Sequence, residues 1–256
     1  METIGAYPLP RERNLIIGAL LALAAAAWGV LIWQSARMGG GAMGLTMGMG
    51  APLFVAIWVA MMVAMMFPTA APMILMFGRV SAGKRRRDQA FVPTWVFVGA
   101  YLVVWALFGV LAYGLAVGAE RLADRSMWLM DHAAGIGGGI LVAAGLYQLS
   151  PLNSLCLTKC RSPFHFVLNS WRDGYGGAFR MGVEHGVYCL GCCWLLFVIL
   201  FPLGVMNVAA MALVTVLIFA EKSLPRGRQI GMAAAAALIV YGALVIFVPG
   251  ALPTMM

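Results

Sequence analysis

Long apolar runs occupy most of this sequence and restrict its fold more than any other feature. Seven of them approach the ~20 residues that a helix needs to cross the hydrocarbon core of a bilayer. Only 10% of the 256 residues are charged, whereas soluble domains carry about 25% charged residues. Inside lipid a chain must satisfy its backbone polar groups internally, and these runs are too long for barrel strands. The sequence therefore predicts an all-α protein, a polytopic bundle of transmembrane helices.

The predicted spans make up a single integral membrane domain, residues 1–256, and leave no room for a soluble domain. They cover residues 15–33, 52–77, 91–117, 133–149, 178–201, 205–220 and 230–248. The first span follows Arg11 and Arg13 and would be lost, leaving six, if it were a cleaved signal peptide. Its apolar part is longer than a usual signal core, which favours a membrane anchor. Pro68 and Pro72 predict a kink or a break in the second span.

The formal net charge of +8 does not indicate a nucleic-acid partner, because the basic residues lie in short loops between the apolar runs. The strongest charge run is Lys-Arg-Arg-Arg at residues 84–87, and the connections 150–177 and 223–229 are also basic. An excess of Lys and Arg marks the cytoplasmic loops of membrane proteins. This pattern predicts a multi-pass protein in contact with membrane lipid, with its N-terminus inside and its C-terminus outside.

One stretch, residues 180–194, concentrates the chemistry of the chain, with three of the five cysteines and one of the three histidines. If it is helical, His185, Cys189 and Cys192 follow spacings of four and three and share one face, with Cys193 beside them. Ionisable groups deep in a membrane usually face the bundle interior and mark function. Thiols with an imidazole suit Cu(I) or Zn(II), and they equally suit thiol redox chemistry.

A second cysteine pair, Cys156 and Cys160, lies between Pro151 and Pro163. A spacing of four places both thiols on one side of a helical turn. If this segment folds against the 180–194 helix, the two thiols join the predicted ligand set. The alternative is a pair of exposed or lipidated cytoplasmic thiols, and the sequence leaves both open.

Methionine is abundant in two places. The second span carries Met61, Met62, Met65 and Met66 on two adjacent stripes, and the predicted outer loop 34–50 carries Met38, Met43, Met47 and Met49. Thioether sulfur is a soft ligand that suits Cu(I), so the helix stripe predicts a transient path for copper. Core packing is the alternative, because methionine commonly fills gaps in apolar interiors.

Two acids near the predicted site are candidates for supporting roles. Glu184 precedes His185, and Glu221 ends the sixth span beside Lys222. A carboxylate behind a metal-bound histidine fixes the orientation of its ring, so Glu184 is a candidate partner of His185, and Glu221 a candidate partner of His185 or Arg180. For Glu221-Lys222 the alternative is a pair whose charged ends reach the membrane interface. His132 and His165 fall in predicted loops and are expected to be solvated.

Four motifs together give a family resemblance. They are Trp58-x-x-Met61-x-x-Ala64-Met65-Met66-x-Pro68, Leu149-Ser150-Pro151-x-x-x-x-Cys156-x-x-x-Cys160-Arg161-Ser162-Pro163, Gly182-x-x-x-Gly186-x-Tyr188-Cys189-x-Gly191-Cys192-Cys193-Trp194, and Gly204-Val205-Met206-Asn207 with Glu221-Lys222. The set resembles a bacterial family described as predicted metal-binding integral membrane proteins of unknown function. The resemblance implies a Cys-rich, multi-pass metal-binding protein of the bacterial inner membrane, and it names no substrate.

Three functions remain open at this point. The first is a metal-binding membrane protein that handles Cu(I) or Zn(II), together with a metallochaperone or a membrane partner protein. The second is a thiol–disulfide conduit that uses the pairs Cys156/Cys160 and Cys189/Cys192. The third is a structural or assembly subunit of a membrane complex. An enzyme is the less favoured interpretation, because no nucleotide-binding loop and no convincing pair of nucleophile and base is present.

Overall fold

The computed structural model describes residues 10–38, 44–85 and 92–252, and within these ranges the chain is helical without a β-strand. The helices are α1 (Pro10–Met38), α2 (Ala51–Arg85), α3 (Thr94–Asp124), α4 (Met127–Asp131), α5 (Ala133–Gln148), α6 (Pro151–Arg161), α7 (Pro163–Ser170), α8 (Gly174–Val198), α9 (Leu200–Leu203), α10 (Val208–Ser223) and α11 (Gly227–Phe247). One turn of 3-10 helix, Pro249–Ala251, follows α11. The predicted all-α class is confirmed.

Five of the described helices are long and apolar enough to cross a membrane. The corresponding segments are Arg11–Arg37, Ala51–Arg85, Thr94–Asp124, Gly174–Leu203 and Gly227–Phe247. A sixth span is possible if α5 and α6 count as one broken span, bent by 62°. Helix α10 has 16 residues, or about 24 Å, which is shorter than the ~30 Å hydrocarbon core. The predicted count of about seven is therefore not confirmed.

Helix α2 continues through both of its prolines, so the break predicted at Pro68 and Pro72 is absent from the helix as described. Proline has no backbone N–H, and Pro68 therefore leaves the carbonyl of Ala64 without its usual helical donor. The indole N–H of Trp28 on α1 donates to this carbonyl at 3.1 Å. A side chain from the neighbouring helix thus replaces a hydrogen bond that the proline removes.

The last turn of α2 is fixed to the start of α8 and of α1. Lys84 Nζ forms an ion pair with Asp173, which also accepts a hydrogen bond from Trp171 Nε1 at 2.9 Å. The hydrogen bond from Lys84, and then that from Trp171, holds the pKa of Asp173 below its usual value. Arg85 pairs with Glu12 at 2.7 Å. The end of the predicted basic run, Arg86 and Arg87, lies outside the described residues.

Glycines bring α5 and α11 into close contact. A Cβ on Gly138 would lie 2.7 Å from the carbonyl oxygen of Gly242, and a Cβ on Gly242 would lie 2.7 Å from that of Gly138. Real side chains do not tolerate such distances, so both positions require glycine. Small residues allow backbones to pack directly in lipid, where no hydrophobic driving force holds helices together.

The core lies around α2, which packs against α1, α3, α7 and α10. The indole N–H of Trp58 donates to the carbonyl of Trp105 on α3 at 3.1 Å, and both rings are buried. Helix α8 packs against α3 and against α6, and its Phe197 ring lies 6.3 Å from that of Trp58. This arrangement sets the middle of α2 beside the middle of α8, where the predicted site residues lie.

The methionine-rich connection after α1 is shorter than predicted, because α1 continues to Met38. Its described part, 44–50, is held to α3 by Glu120, which accepts from the backbone N–H of Thr46 at 2.8 Å. Met47 and Met49 are buried, and Met43 lies outside the described residues. The side chain of Met38 is not described either.

Candidate metal centre

The three cysteines of α8 are all buried, and the sulfur of Cys192 lies at the centre of a small thiol cluster. Its Sγ atom is 3.2 Å from that of Cys193 and 4.0 Å from that of Cys160 on α6. It also donates to the carbonyl oxygen of Cys189 at 3.2 Å. All five cysteines are free thiols. The 150–177 segment therefore contacts α8 through Cys160.

The sulfur of Cys189 meets a different set of groups, contributed by three other helices. Met66 of α2 places its Sδ atom 3.8 Å away, and the hydroxyl of Tyr101 on α3 lies at 3.2 Å. Lys222 of α10 directs its ammonium to the same sulfur at 3.0 Å. Cys189 is thus a thiol that lies beside a soft thioether and a positive charge.

His185 lies one turn before Cys189 and is 3% exposed. Its ring stacks on those of Tyr101 and Phe97, with centroid distances of 5.4 and 5.8 Å, and the ring of Phe166 lies 5.7 Å away. Its Nε2 atom is buried and has no hydrogen-bond partner in the described structure. A buried polar atom without a partner is costly, which makes this nitrogen a candidate ligand atom.

A cavity of about 200 Å³ adjoins the cluster. Its walls come from α2, α6, α8 and α10, and from the first residue of α7. The lining residues are Thr69, Pro72, Met73, Cys160, Arg161, Pro163, His185, Lys222 and Ser223. Cys160 is partly exposed there, and it contacts the buried Cys192 at 4.0 Å. The cavity therefore adjoins the buried thiols through two of its lining residues, Cys160 and Lys222, whose ammonium lies 3.0 Å from Cys189 Sγ.

Cys156 stands apart from the other thiols. Its sulfur lies against the backbone of α8, 2.7 Å from where a Cβ on Gly191 would be. In the described part of the chain it makes no close contact with another sulfur. Of the six predicted ligands, the structure brings Cys160, Cys192 and Cys193 together, places Cys189 and His185 beside them, and leaves Cys156 outside.

The two predicted supporting carboxylates do not reach His185. Glu184 pairs with Arg180 at 3.2 Å across one turn of the partly exposed face of α8. Glu221 is buried and accepts a hydrogen bond from Gln148 Nε2 at 2.9 Å. The prediction is corrected for both residues. Adjacent positions on a helix point in different directions, so Glu184 cannot share the inward face of His185.

The methionine stripes are buried, but they differ in what they contact. Among Met61, Met62, Met65 and Met66, only Met66 has a described contact with a cysteine sulfur, while all four are at most 1% exposed. Met66 is also held in place by Thr69, whose hydroxyl donates to the Met66 carbonyl at 2.9 Å. Three of the four predicted path residues thus have the environment of core packing.

Sequence reasoning missed two residues of the cluster, Lys222 and Tyr101. Lys222 was interpreted as a residue at the membrane interface, and Tyr101 lay in the middle of an apolar run. His165 was placed in a loop but belongs to α7, where Asn169 contacts it at 3.0 Å. His132 is exposed and stacks on Trp128 at 4.4 Å. Neither histidine approaches the thiols.

The thiol cluster is not a preformed multidentate site. Within residues 10–38, 44–85 and 92–252, no group of three or more His, Cys, Asp or Glu side chains is arranged to hold one metal ion. Two sulfurs that each bind one ion at ~2.3 Å can be up to about 4.6 Å apart. The contact of Cys160 with Cys192 at 4.0 Å falls within that limit.

A comparison with known families adds to this geometry. The PpoB2 family, which is described as copper chaperone, matches residues 55–245 of the chain. The chain belongs to the PpoB2 family. The match covers the thiol cluster, Met66, Tyr101 and Lys222, and it supports the metal-related part of the resemblance drawn from the motifs. No curated protein and no solved structure shows significant similarity to the chain.

Proposed function

We propose that this protein is a membrane-embedded copper chaperone that takes up Cu(I) as its cargo at the thiol cluster and passes it to a partner. The observation that carries the proposal is the contact of Cys192 with Cys193 and with Cys160, which come from two helices that a shared metal ion could join. A cluster made of two helices can open when the helices separate, which suits a protein that must release its metal.

The donor set favours Cu(I) over Zn(II). Thiolates and thioethers are soft ligands, and Cys189 with Met66 offers one of each at 3.8 Å. A structural zinc site requires four ligands in a tetrahedron, and the described residues offer no such group. The family description also names copper. Cys160 and Cys192 are the proposed first ligand pair, Cys193 lies beside them, and Cys189 of α8 with Met66 of α2 forms a second soft pair.

Membrane integration is part of the proposal and is supported by the five long apolar helices. The bacterial inner membrane and the predicted orientation rest on the resemblance and on the basic connections. The number of spans decides whether the two termini lie on the same side of the membrane. Five spans place them on opposite sides, and six spans place them on the same side. Labelling of cysteines introduced near each terminus, with a reagent that does not cross the membrane, distinguishes these two cases.

The proposal is tested by purifying the protein in detergent without oxygen and titrating it with Cu(I) against a chromophoric Cu(I) chelator. We expect about one Cu(I) ion per chain to be held against the chelator, because thiolate ligands bind Cu(I) tightly. Zn(II) offered in the same way should be removed by a weak chelator. A chain that competes for no Cu(I) at any chelator concentration would contradict the proposal.

Replacing Lys222 by methionine is expected to weaken Cu(I) binding about tenfold. This is the change in affinity that the loss of one partly exposed, charge-assisted hydrogen bond causes. In the empty site a thiol can keep its proton, whereas a coordinated sulfur is a thiolate that needs a compensating charge. The ammonium 3.0 Å from Cys189 therefore stabilises the loaded state more than the empty one. The chelator titration measures the change. Lys222→Arg keeps the charge and should bind within a few-fold of the wild type, and equal loss in both variants would refute the charge argument.

The thiol–disulfide conduit is supported by the same contact of Cys160 with Cys192, although the predicted pairs were Cys156/Cys160 and Cys189/Cys192. Oxidation of Cys160 and Cys192 would join α6 to α8 and pass two electrons and two protons to a partner. Mass spectrometry of protein alkylated directly in cells separates the two functions. A Cys160–Cys192 disulfide that turns over would support the conduit, and persistent free thiols support the chaperone.

A further inference from the structure

The cavity beside the thiol cluster is lined by positively charged side chains, which do not favour the entry of a bare copper ion. Arg161 and Lys222 both line it, and no carboxylate is among its described lining residues. Arg161 donates to the carbonyl oxygen of Leu224 at 2.8 Å, and the buried carboxyl group of Glu221, which interacts with its charge, is not part of the cavity lining. Two cations at the mouth of a site repel a free Cu(I) ion and attract an anion.

The cavity also has other polar groups, of which the Thr69 hydroxyl already donates to the carbonyl of Met66. Thr69 and Ser223 supply hydroxyls, and His185 brings its buried Nε2 atom, which has no hydrogen-bond partner in the described structure. Cys160 contributes the partly exposed sulfur. The cavity therefore combines two positive charges, polar side chains and one reachable thiol within about 200 Å³.

We infer that this cavity receives Cu(I) as an anionic complex with a small-molecule thiol, and that Cys160 takes the copper from that complex. The inference rests on the proposed copper function and names the form in which the cargo arrives. A Cu(I) ion held by two thiolates is already negative, and carboxylates on the carrier add to that charge. The cavity is smaller than the ~300–1,000 Å³ of sites for drug-sized ligands, which fits a compact thiol.

The transfer step is a ligand exchange without a change of oxidation state. The sulfur of Cys160 forms a bond to Cu(I), and one bond from copper to a carrier sulfur breaks. The proton of the Cys160 thiol passes to the departing carrier thiolate, which leaves as a thiol. Copper next meets Cys192, 4.0 Å beyond Cys160, and through it the buried thiols of α8. Arg161 and Lys222 neutralise the carrier while the exchange takes place.

The test compares two carriers of opposite charge. Cu(I) complexed with 3-mercaptopropionate is anionic, and Cu(I) complexed with cysteamine is cationic. Stopped-flow measurement of copper uptake by the full chain in detergent should give a rate about tenfold higher from the anionic carrier at low ionic strength, since electrostatic steering changes association rates by ~10–10³. High salt should remove most of this preference.

Variants of Arg161 test whether the preference for the anionic carrier arises in the cavity. Arg161→Gln should lower uptake from 3-mercaptopropionate to nearly the cysteamine rate, while Arg161→Lys should keep the preference. Arg172→Gln is the matched control, because Arg172 is exposed outside the cavity and its loss changes the net charge equally. Equal rates from both carriers in the wild type, or an unchanged preference in Arg161→Gln, would overturn the inference.

The outcomes separate this inference from the proposed function. If the chain binds Cu(I) in the chelator titration but shows no carrier preference, the function stands and the inference fails. If it takes copper from neither carrier and from no chelator, the proposed function fails and the inference fails with it. Arg161→Lys and the salt dependence of the wild type give a result even if Arg161→Gln does not fold.

Discussion

Replacing Cys192 by serine is expected to weaken Cu(I) binding at least about 100-fold, because the loss of even an outer partner of a metal ligand lowers affinity ~10–100-fold. Cys192 is the sulfur that contacts both Cys193 and Cys160, so its removal separates the remaining two. A serine hydroxyl is a hard donor that does not replace a thiolate on a soft ion. Titration against a chromophoric Cu(I) chelator measures the loss.

Cys156→Ser provides the matched control for this experiment. The substitution makes the same chemical change, but the sulfur of Cys156 faces the backbone of Gly191 rather than another thiol. We expect its Cu(I) affinity to stay within about threefold of the wild type. Residues that share no contact usually affect each other only weakly, and Cys156 does not contact the other thiols in the described structure. If both variants lose binding equally, Cys156 is a ligand as well and its exclusion from the site is wrong. If neither loses binding, the thiol cluster is not the copper site.

The sequence was most informative about the part of the site that lies on one helix. The spacings of His185, Cys189 and Cys192 follow from helix geometry alone, and the three are buried together on α8 as that geometry requires. For Cys160 the sequence left two possibilities open, a segment folded against α8 and a pair of exposed thiols, and the structure has Cys160 beside Cys192. These inferences use only local periodicity, which a sequence displays directly.

Contacts between helices that are far apart in the sequence could not be predicted from local periodicity. Lys222 reaches Cys189 across 33 residues and Tyr101 reaches it across 88. Nothing in the local pattern of α3 or α10 marks these residues, because a tyrosine or lysine in an apolar run has many possible partners. Glu184 shows the reverse error, since its proximity to His185 in sequence suggested a role that its direction on α8 does not permit.

The breaks in the helices were also misjudged, for a physical reason. Two prolines predicted an interruption of α2, but the neighbouring Trp28 supplies a donor for the carbonyl that Pro68 frees. A bend of 62° instead separates α5 from α6, where Pro151 begins the second helix. A proline interrupts a helix only where no neighbour satisfies the freed carbonyl, and the sequence does not show its neighbours.

Gly182→Ala is expected to destabilise the protein by about 2 kcal/mol, within the ~1–3 kcal/mol typical of overpacked interiors. A Cβ at this position would lie 2.4 Å from the carbonyl oxygen of Phe97 and 2.7 Å from the Cβ of Ala100. Backbone and a β-carbon cannot rotate away, so α8 must move away from α3. Denaturation of detergent-solubilised protein, followed by circular dichroism, measures the change.

The same displacement should reach the copper site, because Tyr101 on α3 and Cys189 on α8 lie 3.2 Å apart one to two turns further along the two helices. Gly176→Ala, also on α8, has open space at its Cβ. This control should leave stability unchanged or raise it by up to about 1 kcal/mol, the helix propensity difference between alanine and glycine. Equal stability of the two variants would mean that α3 and α8 do not pack as closely as their glycines indicate. If Gly182→Ala loses stability but binds Cu(I) normally, the site depends on the contact of α6 with α8 and not on Tyr101.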